Sequence, residues 1–359
     1  MVISVIIFIL TLLILVVIHE LGHFLMAKKF GIKVEEFGFG IPPRIFGKKI
    51  GETLYSLNAL PFGGFVRLLG EDEVSRPING RDFRAKSVGQ RIIVVVAGIT
   101  MNLILAWILF YTVLIFQNFR IIYPALEPAA FVARVEENFP AQKMGIQVGD
   151  RVLAVEGTKV SSFDEVKKLI QDKNGAEVAL KVANIDGADQ KIIKITPKKT
   201  EQGYLIGVVF TPIPFKQFKT PAEKIFSGIT YSFDLTRATF LGLGKTIHDV
   251  LSGNFKAASQ SVAGPVGMAS ISNNILSAGR QASLTYLWFM GVISLTLTIF
   301  NVLPIPALDG GRLLFLVIEA ITRKKVREDI ERKVHQIGFA ILLTLALLVT
   351  YSDIIKIIH

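Results

Sequence analysis

Four long apolar runs, separated by polar stretches, limit how this chain of 359 residues can fold. The first is the cleanest: from Val2 to Ile18 the only polar side chains are Ser4 and Thr11. Continued through Ala27 it makes about 26 residues, or about 39 Å of α-helix at ~1.5 Å per residue, enough to cross a bilayer with tilt. The second runs from about Ile92 to Phe116, the third from about Leu284 onward, and the fourth from about Ile337 to Tyr351. A porin-type barrel would show short alternating strands instead, so the runs exclude one. They also account for a composition of 51% hydrophobic and 19% charged residues, too apolar for an ordinary soluble domain. A cleaved signal peptide is the rival reading of the first run. It needs a basic leading region and a small-residue cleavage site, and neither is visible there.

The formal net charge is +11, but the Lys and Arg lie beside the apolar runs without any nucleic-acid motif. The expected neighbour is therefore the lipid bilayer, and no nucleic acid. Lys28, Lys29, Lys33, Lys48 and Lys49 follow the first run, and Arg81, Arg84, Lys86 and Arg91 precede the second. Arg323, Lys324, Lys325 and Arg327 separate the third from the fourth. Short basic loops stay on the cytoplasmic side, which puts both of these loops inside and the long segment between the second and third runs outside, together with both termini. With Cys 0, there are no disulfides, thiolate metal sites or cysteine nucleophiles. A metal must be held by His and carboxylate.

The long outer segment has two parts. From about Ala130 to Phe210, short strand patterns (AAFVARV, DRVLAVEG, EVALKV, KIIKIT, LIGVVF) surround one amphipathic stretch, FDEVKKLIQD, as in a small α+β domain. Its stretch from Ala141 to Ile170 resembles a PDZ domain. That resemblance implies a turn at Gly145, Gly149 and Asp150, a groove-lining helix over Phe163 to Gln171, and binding of peptide C-termini or extended peptide as an added strand. From Thr220 to Leu251, apolar residues at helical spacing are interrupted by Asp234, Arg237, Lys245, His248 and Asp249, so a surface-lying helix is expected rather than a fifth span.

The end of the first run reads His19, Glu20, Leu21, Gly22, His23, an HExxH motif, in a chain with only His 5. On a helix, i and i+4 put both imidazoles on one face toward one cation, with Glu20 beside them to take a proton from water. A pair of core histidines is the plain alternative, but burying two imidazoles and a carboxylate in an apolar helix is costly without partners. A catalytic zinc takes three protein ligands. His248, His335 and His359 fall outside the spans, and Glu319 falls on the third. Asp309 is the better candidate, because Pro304, Pro306, Gly310 and Gly311 break the apolar segment around it. Broken backbone at membrane depth is tolerated only where protein or a watery cavity surrounds it. The alternative for Asp309 is a cap on the following helix.

HExxH in the first span, Asn301-xx-Pro304-xxxx-Asp309-Gly310 in the third and a PDZ-like insert between the second and third occur in the order that resembles the site-2 protease family, in particular its bacterial members with one PDZ domain. The resemblance covers nearly the whole chain. It implies a polytopic α-helical membrane protein of about four transmembrane helices, with a membrane-associated β-hairpin or small sheet and an inserted α+β PDZ-like domain. The expected parts are residues 1–118 with the hairpin region at 35–72, a PDZ-like domain at 119–215, an amphipathic segment at 216–283 and a C-terminal membrane part at 284–359. The resemblance further implies that His19, His23 and Asp309 hold Zn2+, that Glu20 is the general base, and that Asn301, with Pro304, contacts substrate or the developing oxyanion. Gly63 and Gly64 would belong to a hairpin edge that pairs with unwound substrate. Asn102 stands where the family has a glycine-to-asparagine pattern and serves either substrate contact or an inter-helix hydrogen bond.

The implied activity is that of a zinc metalloendopeptidase of a bacterial inner membrane, cleaving pre-trimmed single-pass proteins such as anti-sigma factors or signal-peptide remnants. One rival is a membrane zinc-binding or transport protein without hydrolase activity, which leaves Glu20 and the PDZ-like insert without a role. A second is another membrane-bound zincin family with a soluble catalytic domain and a glutamate, Glu319 or another loop Glu, as third ligand.

Overall fold

The computed structural model describes residues 2–71, 79–124, 129–185, 189–201, 203–211, 214–279 and 282–358. Residue 72, the expected end of the hairpin region, and His359 lie outside them. The chain divides into two compact units, Met1–Phe110 with Leu243–His359, and Tyr111–Gly242.

The first unit opens with α1 (Val2–Lys29), whose last turn carries Lys28 and Lys29 where the helix dipole favours cations. Gly31, at φ +66°, ends it in the left-handed conformation, and Ile32 N–H donates back to Ala27 O at 2.9 Å. β1 (Val34–Ile50) and β2 (Thr53–Leu68) follow, joined by a tight turn at Gly51 and Glu52. Both strands fold back on themselves. Phe39 pairs with Gly64 on one side and Leu57 on the other, while Lys48 pairs with Tyr55. The two long strands therefore make a curled sheet in which residues 64–68 run along one edge. α2 (Val88–Phe116) comes next.

The second unit holds β3 (Arg120–Ile122), β4 (Ala130–Val135), α3 (Pro140–Lys143), β5 (Arg151–Val155), β6 (Thr158–Lys159) and α4 (Phe163–Gln171). It continues with β7 (Val178–Ala183), β8 (Lys191–Ile195), β9 (Lys198–Thr200), β10 (Gly203–Leu205), β11 (Val208–Thr211) and β12 (Phe215–Gln217). The main sheet runs β11-β4-β5-β7-β8 with β6 on β5, all antiparallel. Alternation in β7 puts Val178, Leu180 and Val182 into a core that Val166 and Ile170 of α4 close. Full burial of each such side chain contributes roughly 1.5–3 kcal/mol. Ser162 caps α4 by accepting Glu165 N–H, while Glu165 accepts Ser161 N–H at 2.7 Å, a reciprocal cap. At the turn before β5, Gly145 and Gly149 have φ +72° and +96°, and Asp150 accepts Gln147 N–H at 2.9 Å. Burial raises the Asp150 carboxyl above its ordinary range.

α5 (Pro221–Leu251) is one long helix that buries Ser227, Gly228, Tyr231, Ser232 and Leu235 and exposes Phe226, Ile229, Phe233 and Phe240. Within the second unit, Tyr231 donates its hydroxyl to Ile122 O at 2.7 Å.

The C-terminal half of the first unit has α6 (Phe255–Gln260), α7 (Pro265–Leu276), α8 (Ala282–Val302), α9 (Asp309–Thr322) and α10 (Glu328–Ile358). The third apolar run is thus two helices, because the prolines and glycines of residues 304–311 interrupt it, and Glu319 falls on the second of them. Phe8 and Leu15 of α1 pack with Tyr286, Phe289 and Ile293 of α8 and with Met268 and Ile275 of α7. Thr11, buried in α1, meets the Tyr286 hydroxyl at 2.9 Å, which satisfies both polar groups in an apolar contact. Among the described residues four helices, over Ile3–Lys29, Val88–Phe116, Ala282–Val302 and Asp329–Lys356, are long and apolar enough to cross a membrane. α5 is not among them.

Candidate functional site

α1 and α2 cross where two glycines remove side chains. A Cβ on Gly22 would overlap the Ala97 carbonyl, and one on Gly98 would overlap the His23 imidazole and lie 2.9 Å from His19 Nε2. The crossing brings both HExxH histidines against α2. His23 Nδ1 lies 2.8 Å from Val94 O; a carbonyl only accepts, so Nδ1 carries the proton and Nε2 presents its lone pair. His19 and His23, one turn apart, bring their Nε2 atoms to 3.1 Å.

Asp309 meets them as the first residue of α9. Its Oδ2 lies 2.9 Å from His19 Nε2 and 3.2 Å from His23 Nε2, and it has no hydrogen-bond donor among the described residues. One ligand atom from each of the three residues lies within 4.8 Å of the others. Lone pairs converging on one point in a buried place are uncompensated unless a cation joins them. Two neutral imidazoles and one carboxylate from three positions are the donor set of a catalytic zinc with one position left open. The residues present therefore fit that metal.

The loop before Asp309 explains how an apolar segment delivers it. Leu303 N–H still bonds the last turn of α8, and Leu308 N–H bonds Ile305 O at 3.2 Å. Side chains at Gly310 or Gly311 would run into the Leu303 and Ile305 carbonyls, so the loop can fold across the start of α9. Ala307 holds φ +75°, in the left-handed region that a residue with a Cβ enters at a cost.

Beside the three ligand atoms opens a cavity of about 840 Å³ lined by Glu20, His23, Asp309, Phe65 to Leu68, Arg312 and His335, among others. Glu20 follows His19 on α1, and a Cβ placed on Gly64 would be 3.6 Å from Glu20 Cγ. The sheet edge at residues 65–68 thus lies along the same cavity as Glu20 and Asp309, and among the described residues no further strand pairs with it. Two ion pairs fix α9. Arg91 on α2 binds Glu319 at 2.6 Å, both nearly buried, and Arg312 pairs with Glu71 at the end of the sheet. Glu319, the alternative third ligand, is thus engaged by Arg91.

The other expected residues fall in different places. Gly63 has φ +84° and Gly64 pairs with Phe39, both in the curled sheet. Asn301 ends α8 half-buried and Pro304 is exposed; neither lines the cavity. Asn102 is 1% exposed, and its side-chain nitrogen lies 3.4 Å from His19 Nδ1 while its Oδ1 has no partner. Turning the amide over lets Oδ1 accept the His19 Nδ1 proton and leaves Nε2 free, as a metal ligand requires. Asn102 therefore backs His19 instead of facing the cavity, because it lies one turn beyond Gly98 on the face of α2 that α1 crosses. His335 carries a role that sequence reading missed. It lies within α10 and the candidate span Asp329–Lys356, not outside the spans, and its Nδ1 accepts Ala307 N–H at 2.9 Å. No spacing in the sequence links residue 335 to residue 307.

Comparison with known proteins gives a family. The profile of Peptidase family M50 matches residues 7–345. A Clostridium perfringens protein whose name places it among zinc metalloproteases is 36% identical over 342 residues, covering 95% of each chain. Zinc metalloprotease RasP of Geobacillus kaustophilus is 29% identical over 421 residues, again covering 95% of each. Among solved structures, the PDZ domain of an SdrC-like protein from Listeria monocytogenes overlaps 24% of this chain and 92% of its own, at 20% identity and TM-score 0.22.

Proposed function

Because this chain belongs to peptidase family M50 and is a membrane zinc metalloprotease, we propose that it cuts peptide bonds within or at the cytoplasmic side of the membrane, in single-pass proteins already shortened outside. The observation that carries this reading is the shared cavity: His23 and Asp309 of the converging trio, Glu20 and an open sheet edge all border it. His19, His23 and Asp309 hold the zinc. When bound there, zinc polarises the scissile carbonyl and acidifies water. Glu20 takes the proton from the attacking water and passes it to the leaving amine. A helical substrate shields its own peptide bonds, so it must unwind, and the freed N–H and C=O groups need partners. The edge at residues 65–68 supplies them as an added strand, with Gly64 leaving room for the chain above Glu20. Asn102 holds His19, whereas Asn301, near the end of α8, and Pro304, just after it, lie outside the lining of the cavity.

In this reading the hairpin and the connection from α9 to α10 face the cytoplasm across a bacterial inner membrane and the second unit lies outside, an orientation that the short basic loops favour. That unit is a PDZ-like module that admits trimmed chains by their free ends. Anti-sigma factors and signal-peptide remnants are substrates of this kind.

The test is cleavage in liposomes of a tagged, externally truncated transmembrane substrate by wild type and Glu20→Gln, with bound zinc assayed in both. Wild type should cleave and the variant should lose at least ~10²-fold in rate, with zinc retained in both. Equal cleavage by the two would refute the role of Glu20. Zinc bound by both, with no cleavage of any trimmed substrate, would favour metal binding or transport.

A further inference from the structure

Asp309 has to sit within hydrogen-bonding distance of two imidazoles, yet it follows a loop in which Leu303, Ile305 and Leu308 make short local backbone bonds, two prolines have no N–H, and Ala307 N–H reaches no backbone acceptor among the described residues. Something must hold that loop. Two contacts from α10 do so, one turn apart. Gly338 leaves space that Pro306 fills, since a Cβ there would overlap the proline ring. His335 Nδ1 accepts the Ala307 N–H at 2.9 Å, and Ala307 is the residue held at φ +75°. A backbone N–H can only donate, so Nδ1 carries the lone pair and the proton is on Nε2. Nε2 is buried and has no partner among the described residues, so the bond to Ala307 is the hydrogen bond this ring makes there. The ring also packs against Phe315 of α9, centroid to centroid 5.8 Å.

We infer that His335 is a positioning residue for the metal centre: by accepting Ala307 N–H it fixes the left-handed turn that aims Asp309 at His19 and His23. The inference rests on the reading of Asp309 as a zinc ligand. Its physical content is that a non-glycine residue stays in that region only where surroundings over-determine it. Without the acceptor, Ala307 relaxes and takes Asp309, two residues on, with it. Groups that orient a metal ligand from outside the coordination sphere are worth about 10–100-fold in metal affinity.

Two substitutions separate this role from packing. His335→Phe keeps a ring against Phe315 and loses the acceptor, whereas His335→Asn loses the ring and keeps an acceptor oxygen where Nδ1 was. Purified full-length proteins would be loaded with zinc, and transfer of the metal to a chelator followed. Amide exchange at Ala307 would be measured in the metal-free proteins. His335→Phe should lose zinc about 10–100-fold faster and exchange the Ala307 amide faster, while His335→Asn stays within about threefold of wild type on both. The reverse order, Phe like wild type and Asn impaired, would show that the ring acts by packing and would overturn the inference. So would unchanged zinc release in both variants. Asp309→Ala run alongside keeps the two claims apart: if it retains zinc like wild type, the ligand assignment fails first, whereas if it loses zinc and His335→Phe does not, only the role of His335 falls.

Discussion

At the residue scale, the site depends as much on missing atoms as on ligands. The HExxH motif makes His19, Glu20 and His23 legible in the sequence because the helical period fixes where those side chains go. Asp309 is legible by elimination, as an acidic residue in an apolar segment broken by proline and glycine. Gly98 is not, because its importance is a close approach between two helices that no local pattern encodes. Any side chain there meets the His23 imidazole. Gly98→Ala should therefore displace the histidines, cost about 1–3 kcal/mol in overpacking and deplete bound zinc, while circular dichroism in detergent stays helical. An alanine protein with full zinc occupancy would show that α2 can retreat. Asn102→Leu removes the acceptor for His19 Nδ1 and should weaken zinc binding by about 10–100-fold, measurable by competition with a chelator. Asn102→Asp, which keeps an acceptor, should do far less.

At the element scale, the long spans, the α+β pattern and the amphipathic stretch at 220–251 follow from periodicity. The curled sheet does not, because residues 36–39 pair on both sides and one sequence pattern serves two partners. Nor does the split of the third apolar run into α8 and α9 fix where α9 turns. That is set by side chains distant in sequence, above all Arg91 and Glu319 at 2.6 Å with only 8% and 12% side-chain exposure. Removing one partner leaves a buried charge uncompensated, so Arg91→Leu should destabilise by ~3–5 kcal/mol, and the double variant Arg91→Leu/Glu319→Leu should recover much of that in thermal unfolding. A double variant no better than the single one would mean that the pair is not isolated. The β1–β2 turn is held differently. Glu52 accepts from Lys28 at 2.8 Å and from Arg81 at 2.6 Å, and those bonds pull its carboxyl down to about 2. A carboxyl depressed in the folded state stabilises it above the ordinary value near 4.5 and loses that contribution as pH falls toward 2. Amide exchange at the turn should therefore rise in that window for wild type, and already be raised at neutral pH in Glu52→Gln.

At the scale of the whole molecule, one physical division organises the chain: apolar helices hold His19, His23 and Asp309 together, and an α+β module with its own core is inserted between them. α10 shows what the helical part requires. Ile337, Phe339, Ile341, Leu343, Leu345 and Leu347 are all more than half exposed, and a helix apolar on its outer faces needs an apolar surrounding. Which side of the membrane each part faces is a separate matter, decided by charge in the short loops and so open to a direct test. The chain has Cys 0, which makes every introduced thiol the only one. Lys48→Cys, at the hairpin, should resist a membrane-impermeant maleimide in intact cells and react in inverted vesicles. Lys173→Cys, after α4, should react in intact cells. The opposite pattern would put the hairpin and the second unit on exchanged sides, and the proposed selection of externally trimmed substrates would no longer have its input. Labelling of both sites from one side would exclude the odd number of crossings that lies between them in this arrangement. The same pair of thiols therefore tests the membrane passage of α2 and the topology on which the substrate class depends.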